Sequence, residues 1–246
     1  MAGSTTAVET QTRYEDVLAY LPASKTTEYG KGQTIYGLDR FPRSIYLVVA
    51  GTVGISQVTA DGTEVLMEIV RPDELFGESA FLDVPRPSER AKAIEKVELM
   101  AWPISDVEDL VTKRPRLAVA LLQILAHRNT EYTRRIESFV IDGIEQRLAR
   151  SLIRFSERLG TPEDDGSVWM MPFTHEMLSR YVGTSREIIT HYMGRFREHG
   201  YLTYSRQGIR LYRDTLRKVL DGSGFLSAQW NGQSAFASAN DMPAGE

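Results

Sequence analysis

The residues best suited to chemistry lie in one short run. Ser185 is a good helix N-cap, and Arg186, Glu187, Thr190, His191 and Met193 to Arg195 follow within three helical turns. Short polar and basic side chains on a capped helix suit entry into a DNA major groove end-on. A helix pair that only packs would not need them. Other chemistries find little support. With no cysteine in the chain, disulfides, Cys-ligated zinc, thiolate-held iron–sulfur clusters and cysteine nucleophiles are excluded. None of the four histidines, His127, His175, His191 and His199, lies in the β-rich part, which weakens a haem reading. No catalytic triad, metal cluster, Walker-type phosphate loop or carboxylate pair stands out, so the expectation is a protein that is not an enzyme.

The elements around that run have a recognisable order. Thr174 caps a first short helix to Val182, Gly183-Thr184 makes a tight turn, and Gly200 closes the second helix as C′. Tyr201–Tyr204 and Gly208–Tyr212 alternate around Ser-Arg-Gln-Gly as a β-hairpin, and 213–220 form a last helix. Helix, glycine turn, helix and two-stranded wing make a winged helix-turn-helix. Before it run a helix over Ile144–Leu159, a loop over 160–166 and a short strand over 168–171.

The N-terminal half reads differently. From Lys25 to Trp102, glycines punctuate short β-rich runs at 44–49, 52–56, 64–70 and 96–102, with Asp61-Gly62 a type I′ hairpin signal. Many short strands imply a sandwich or barrel. A short helix over Tyr14–Leu21 precedes them, and Ser105 with Glu108 forms a capping box for another. Pro115 suits the first turn of a long helix. Its apolar positions Leu117, Leu121, Leu125, Tyr132, Ile136 and Phe139 step by 4, 4, 7, 4 and 3, close to a coiled-coil seam. A second copy of the chain is the expected partner for that stripe. Asp142-Gly143 breaks the pattern. The expected division is a disordered 1–12, a β-roll over 13–114, a dimerisation helix over 115–141, a DNA-binding domain over 142–220 and a disordered tail over 221–246. The fold class is α+β.

Charge is divided in the same way. Residues 147–220 hold 13 Lys/Arg against 8 Asp/Glu, residues 1–146 hold 16 against 22, and the tail holds none against 3, giving +5, −6 and −3, the overall −4. A basic C-terminal segment behind an acidic body suits a DNA-binding module on a regulatory one. No apolar run reaches the ~20 residues of a membrane span, and Met1–Gln11 lacks the features of a secretory signal. The expected location is the cytoplasm, with no membrane partner.

This order of elements over roughly residues 25–215 resembles the bacterial transcription regulators of the cyclic-AMP receptor protein/fumarate-nitrate regulator (CRP/FNR) superfamily. Tyr46-Leu-Val-Val-Ala-Gly51-Thr-Val53 looks like the hairpin of cyclic-nucleotide-binding β-rolls, Phe76-Gly-Glu-Ser-Ala80 like the start of their phosphate cassette, and Val182-Gly-Thr-Ser-Arg-Glu187 like the turn into the recognition helix. The resemblance implies a homodimer on palindromic double-stranded DNA, with RNA polymerase as a further partner if the regulator activates. It implies base reading by Arg186 and Glu187, with Thr190 and His191 beside them. Arg donates bidentately to guanine, and Glu accepts from cytosine N4. His191 stands where cyclic-AMP-type members carry a second arginine, and one imidazole cannot make that fork. Thr184, Ser185, Arg195, Arg206 and Arg210 would hold the DNA backbone.

The resemblance also implies an effector pocket around Gly77, Glu78, Ser79, Arg86, Ser88, Arg90, Tyr132 and Thr133. There the pattern departs from the family. Counting back from Ala93, the arginine that would bind a cyclic phosphate is replaced by Pro87, followed by Ser88. The expectation is DNA binding without cyclic AMP, with another small effector or none.

Overall fold

The computed structural model describes residues 16–38, 40–82 and 88–221. The expectations for 1–12 and for the tail beyond Asp221 lie outside the described residues, as does Arg86. By packing, the described residues form two units. One runs to Asp142 and includes Glu176–Ser185; the other comprises Gly143–His175 and the residues from Arg186 on.

The first unit is a sandwich of two antiparallel four-stranded sheets. One sheet orders β1 (Thr27–Tyr29), β8 (Val97–Pro103), β3 (Ser44–Ala50) and β6 (Leu75–Phe76). The other orders β2 (Thr34–Tyr36), β7 (Glu89–Ala93), β4 (Val53–Val58) and β5 (Glu64–Val70). Period-two alternation decides what each sheet buries. Val48, Phe76 and Leu99 of the first sheet meet Ile35, Tyr36, Val53, Val70, Ala91 and Ala93 of the second, a dry core between the layers. Ile45, Leu47, Leu75 and Trp102 instead pack on Val107 of α1 (Ile104–Lys113) and Leu117 and Ala120 of α2 (Arg116–Ile141).

Several local expectations change. The helix over 14–21 is, among the described residues, one 3-10 turn at Val17–Ala19, capped by the Asp16 carboxylate on the Leu18 N–H. The capping box on Ser105 is absent: α1 starts at Ile104 after Pro103, and the Ser105 hydroxyl turns to Asp106. At Asp61-Gly62 only the glycine has positive φ, +83°, whereas type I′ needs two such residues. The Gly62 N–H donates to the Thr59 carbonyl and the Thr59 N–H to the Thr63 carbonyl, both at 2.9 Å, the three-residue form of hairpin.

Helix α2 departs most from expectation. Leu117 is fully buried against its own sandwich, Leu121 packs on the same core and the Tyr132 hydroxyl bonds Glu68 of β5. Half of the expected partner-facing stripe therefore belongs to the protein's own interior. The row left exposed is Val119, Leu122, Ala126, Asn129, Thr133, Ile136 and Val140, at steps of 3, 4, 3, 4, 3 and 4. Helix α4 (His175–Val182) begins in the second unit and its remainder packs in the first. Arg135 donates to the carbonyls of Leu66, Met67 and Tyr181, and Arg180 pairs with Glu64 at 2.7 Å.

In the second unit, α3 (Ile144–Leu159) buries Leu148, Leu152 and Phe155. Its sheet has four strands rather than a bare two-stranded wing. β9 (Thr161–Pro162), read as loop from the sequence, and β10 (Val168–Met170) join β12 (Ile209–Leu211) and β11 (Leu202–Tyr204). Helix α5 (Arg186–Glu198) and α6 (Arg213–Leu220) complete it.

Candidate nucleic-acid interface and effector pocket

Helix α5 divides cleanly by burial. Ile189, Met193 and Phe196, spaced 4 and 3 apart, are buried. Met193 is thus core, not part of the presented surface. Arg186, Glu187, Thr190 and His191 are all exposed on the first two turns. Gly183, at φ +73°, supplies the left-handed turn, and the Gly183 and Thr184 N–H groups both return to the Ser179 carbonyl. The helix then starts with the positive end of its dipole beside Thr184 and Ser185, which favours phosphate.

The remaining expected contacts separate. Arg206 is exposed on the β11–β12 turn, where the Ser205 N–H donates to the Gly208 carbonyl. Arg210 makes a two-point pair with Glu163, 2.5 Å from Nε and 3.0 Å from Nη2. That fork is occupied within the protein. Arg195 is half-buried, and together with His199 it draws down a Glu145 carboxyl that burial pushes up. His191 rests edge-on to Tyr192. The Thr190 hydroxyl lies 2.8 Å from His175 Nδ1 and donates to the Arg186 carbonyl at 2.9 Å. His175 burial, then the Arg186 charge, lower the pKa of that imidazole.

In the sandwich, Gly77 is required by its backbone. Its φ is +90°, and a Cβ there would stand 2.7 Å from the Ser44 carbonyl oxygen. It opens the turn Glu78–Phe81, where the Ser79 hydroxyl donates to Glu89. Glu78 does not face an empty site. Arg128, which sequence reasoning missed, reaches from α2 and pairs with Glu78 at 2.6 Å and Glu68 at 3.3 Å. It also donates to the Leu75 carbonyl, and Tyr132 donates to Glu68 at 3.2 Å. Arg128 and Glu68 are only 11% and 10% exposed. Burial opposes the charge on Arg128, but Glu68 and Glu78 outweigh it and hold the guanidinium ionised. Burial and then Glu68 raise the Tyr132 phenol. Arg90 lies on strand β7, Ser88 accepts the Val58 N–H through its carbonyl, and Thr133 is in the exposed row of α2. Of the expected pocket residues, Glu78 and Tyr132 are thus linked through Arg128 and Glu68.

Comparison with known proteins fits this two-part arrangement. Residues 26–114 match the family model of the cyclic nucleotide-binding domain, and 146–219 that of the Crp-like helix-turn-helix domain. Transcriptional regulator SdrP of Thermus thermophilus is 31% identical over 157 residues, covering 64% of this chain and 73% of that protein. The chain belongs to the CRP/FNR superfamily of transcription regulators. A CRP-like cAMP-activated global transcriptional regulator of Mycobacterium tuberculosis is 24% identical, covering 71% of this chain and 78% of that protein. Among solved structures, FixK2 of Bradyrhizobium japonicum superposes with a TM-score of 0.70 at 20% identity, covering 80% of this chain and 97% of that one. A CRP/FNR regulator thus carries both the β-roll and the DNA-binding domain that its sequence implies. Among the described residues no helix is long and apolar enough to cross a membrane, and no cluster of three or more His, Cys, Asp or Glu could hold a metal ion.

Proposed function

We propose that this CRP/FNR regulator is a cytoplasmic homodimer that reads a palindromic DNA site with α5 and does so without cyclic AMP. The observation that carries the reading is the division of α5, with a buried row at Ile189, Met193 and Phe196 and polar side chains exposed on its first two turns. Arg186 and Glu187 are the base readers, with Thr190 and His191 flanking them. Thr184, Ser185 and Arg206 hold the backbone. Arg210, which pairs with Glu163 at the surface, and half-buried Arg195 are secondary backbone contacts in this reading. The exposed 3–4 row on α2 supports dimerisation, because a heptad row in water gains most from pairing with its own copy.

The described residues do not fit a cyclic phosphate. Glu78, one of the pocket residues the resemblance implies, is held by Arg128, and that guanidinium is shared with Glu68. A ligand would have to break a buried ion network before binding. Selection from random duplexes, with and without cyclic AMP, tests the whole reading. The expected result is a palindrome with half-site centres about 10–10.5 bp apart, found equally in both arms. An asymmetric site, or enrichment only with the nucleotide, would overturn it.

A further inference from the structure

We infer that Thr190 reads a thymine through its methyl group, and that His175 is the positioning residue that turns it so. The inference rests on α5 entering the major groove. A threonine hydroxyl has one proton to give. At Thr190 that oxygen has two partners inside the protein, the Arg186 carbonyl at 2.9 Å and His175 Nδ1 at 2.8 Å. The carbonyl can only accept, so the hydroxyl donates to it and Nδ1–H donates to the hydroxyl. Were the ring nitrogen the acceptor instead, the proton would still be committed. Either way none remains for guanine N7 or O6, adenine N7 or thymine O4, the acceptors that line the groove.

The methyl carries no such tie. Two substituents on Cβ make threonine stiff at χ1, so fixing the oxygen fixes the methyl. Thr190 is exposed on the same turns as Arg186 and Glu187, and the apolar feature of the groove is the thymine 5-methyl. His175 is itself held. Its ring meets Tyr204 of β11 edge-on, with centroids 5.6 Å apart at 62°. The imidazole is thereby fixed between the wing and α5, where it can orient Thr190 without touching DNA.

Replacing single thymines of the selected half-site by uracil removes the methyl and nothing else. For the wild-type protein, one position should lose about fourfold in affinity, the worth of one buried methyl. Thr190→Val keeps the methyl and should keep that ratio at that position. Thr190→Ser keeps the hydroxyl and its ties and should bring the ratio to one. His175→Phe keeps the ring on Tyr204 and leaves the hydroxyl only its Arg186 tie, so the threonine can turn its single methyl away and the ratio should shrink at this position alone, whereas valine has a methyl at both γ positions and needs no such tie. A ratio retained by Thr190→Ser, a ratio lost by Thr190→Val, or no uracil-sensitive position in the wild type overturns the methyl assignment. An unchanged ratio in His175→Phe overturns the role of His175. Failure of the underlying reading looks different: no sequence would be selected at all, and both would fall.

Discussion

Two sets of arginine and glutamate sit in this chain in opposite settings. Arg128 meets Glu68 and Glu78 inside the β-roll, and the three close on one another. Arg186 and Glu187 stand side by side at the start of α5, both exposed. Adjacent residues on a helix point about 100° apart, so that pair does not face itself as an i, i+4 pair would. The difference teaches that residue type does not decide whether a charge ties the fold or reads a ligand. Chain topology does. Glu68 and Arg128 are 60 positions apart in sequence and are brought together by packing α2 on the sandwich. The proposed readers are neighbours in sequence whose helix keeps them turned outward.

The largest expected effect breaks the interior set. Arg128→Ala removes the cation beside the buried Glu68 and should cost about 3–5 kcal/mol in urea unfolding. Arg186→Ala, by contrast, should change stability by no more than about 0.5 kcal/mol. Equal stability losses would erase the distinction between the two sets.

Next comes the proposed dimer surface. Leu122 and Ile136 are each 64% exposed on α2. Glutamate at both would place like charges across the seam, and sedimentation should then show monomers with little hold on the palindrome. Leu121 lies on the other side of the helix, and Leu121→Ala should lower stability but leave the dimer intact. Monomers from Leu121→Ala would restore the stripe first read from the sequence.

The reading set gives a smaller effect. Arg186→Ala should lose about 1–3 kcal/mol on the selected site and relax one base position. Arg206→Ala should weaken all sequences alike and flatten the salt dependence. Parallel losses on specific and random DNA would remove Arg186 from the base readers.

The smallest effect tests an interior carboxylate that lacks what Glu68 has. Glu145 Oε1 is buried with no hydrogen-bond partner, and burial raises its carboxyl above the ordinary value. The unfolded chain therefore releases this proton first, and the group's contribution to stability is lost as pH rises from the ordinary glutamate range toward its folded pKa. Glu145→Gln should be more stable than wild type at pH 7 and indistinguishable from it near pH 3. A variant that is less stable at neutral pH would show that the charged form is favoured.

How far the sequence could be read follows the same divide between local and distant partners. The strands at 44–50, 53–58 and 64–70, the break at Asp142-Gly143 and the turn at Gly183 are written in neighbouring residues, and the structure has them. The seam of α2 was misjudged because Leu117, Leu121 and Tyr132 share the helical period of a partner-facing row. Only the sandwich reveals that they face inward. Arg128 was missed altogether. Nothing within ten residues of it signals Glu68 or Glu78, although its i, i+4 spacing to Tyr132 put both on one face. The Arg210–Glu163 pair was illegible for the same reason, since Glu163 lies 47 positions before Arg210.

The exposed row of α2 also bears on how such a regulator would respond to its own abundance. A lone protomer keeps Leu122, Ile136 and Val140 in water, and only the pair presents two recognition helices. While protomers are scarce, the concentration of pairs grows as the square of the chain concentration. Promoter occupancy would then rise steeply over a narrow range of expression and fall as steeply on dilution by cell growth. Under the proposed effector-free reading, the threshold would be set by the rate of synthesis against loss, and the response time by protein turnover rather than by the arrival of a small molecule.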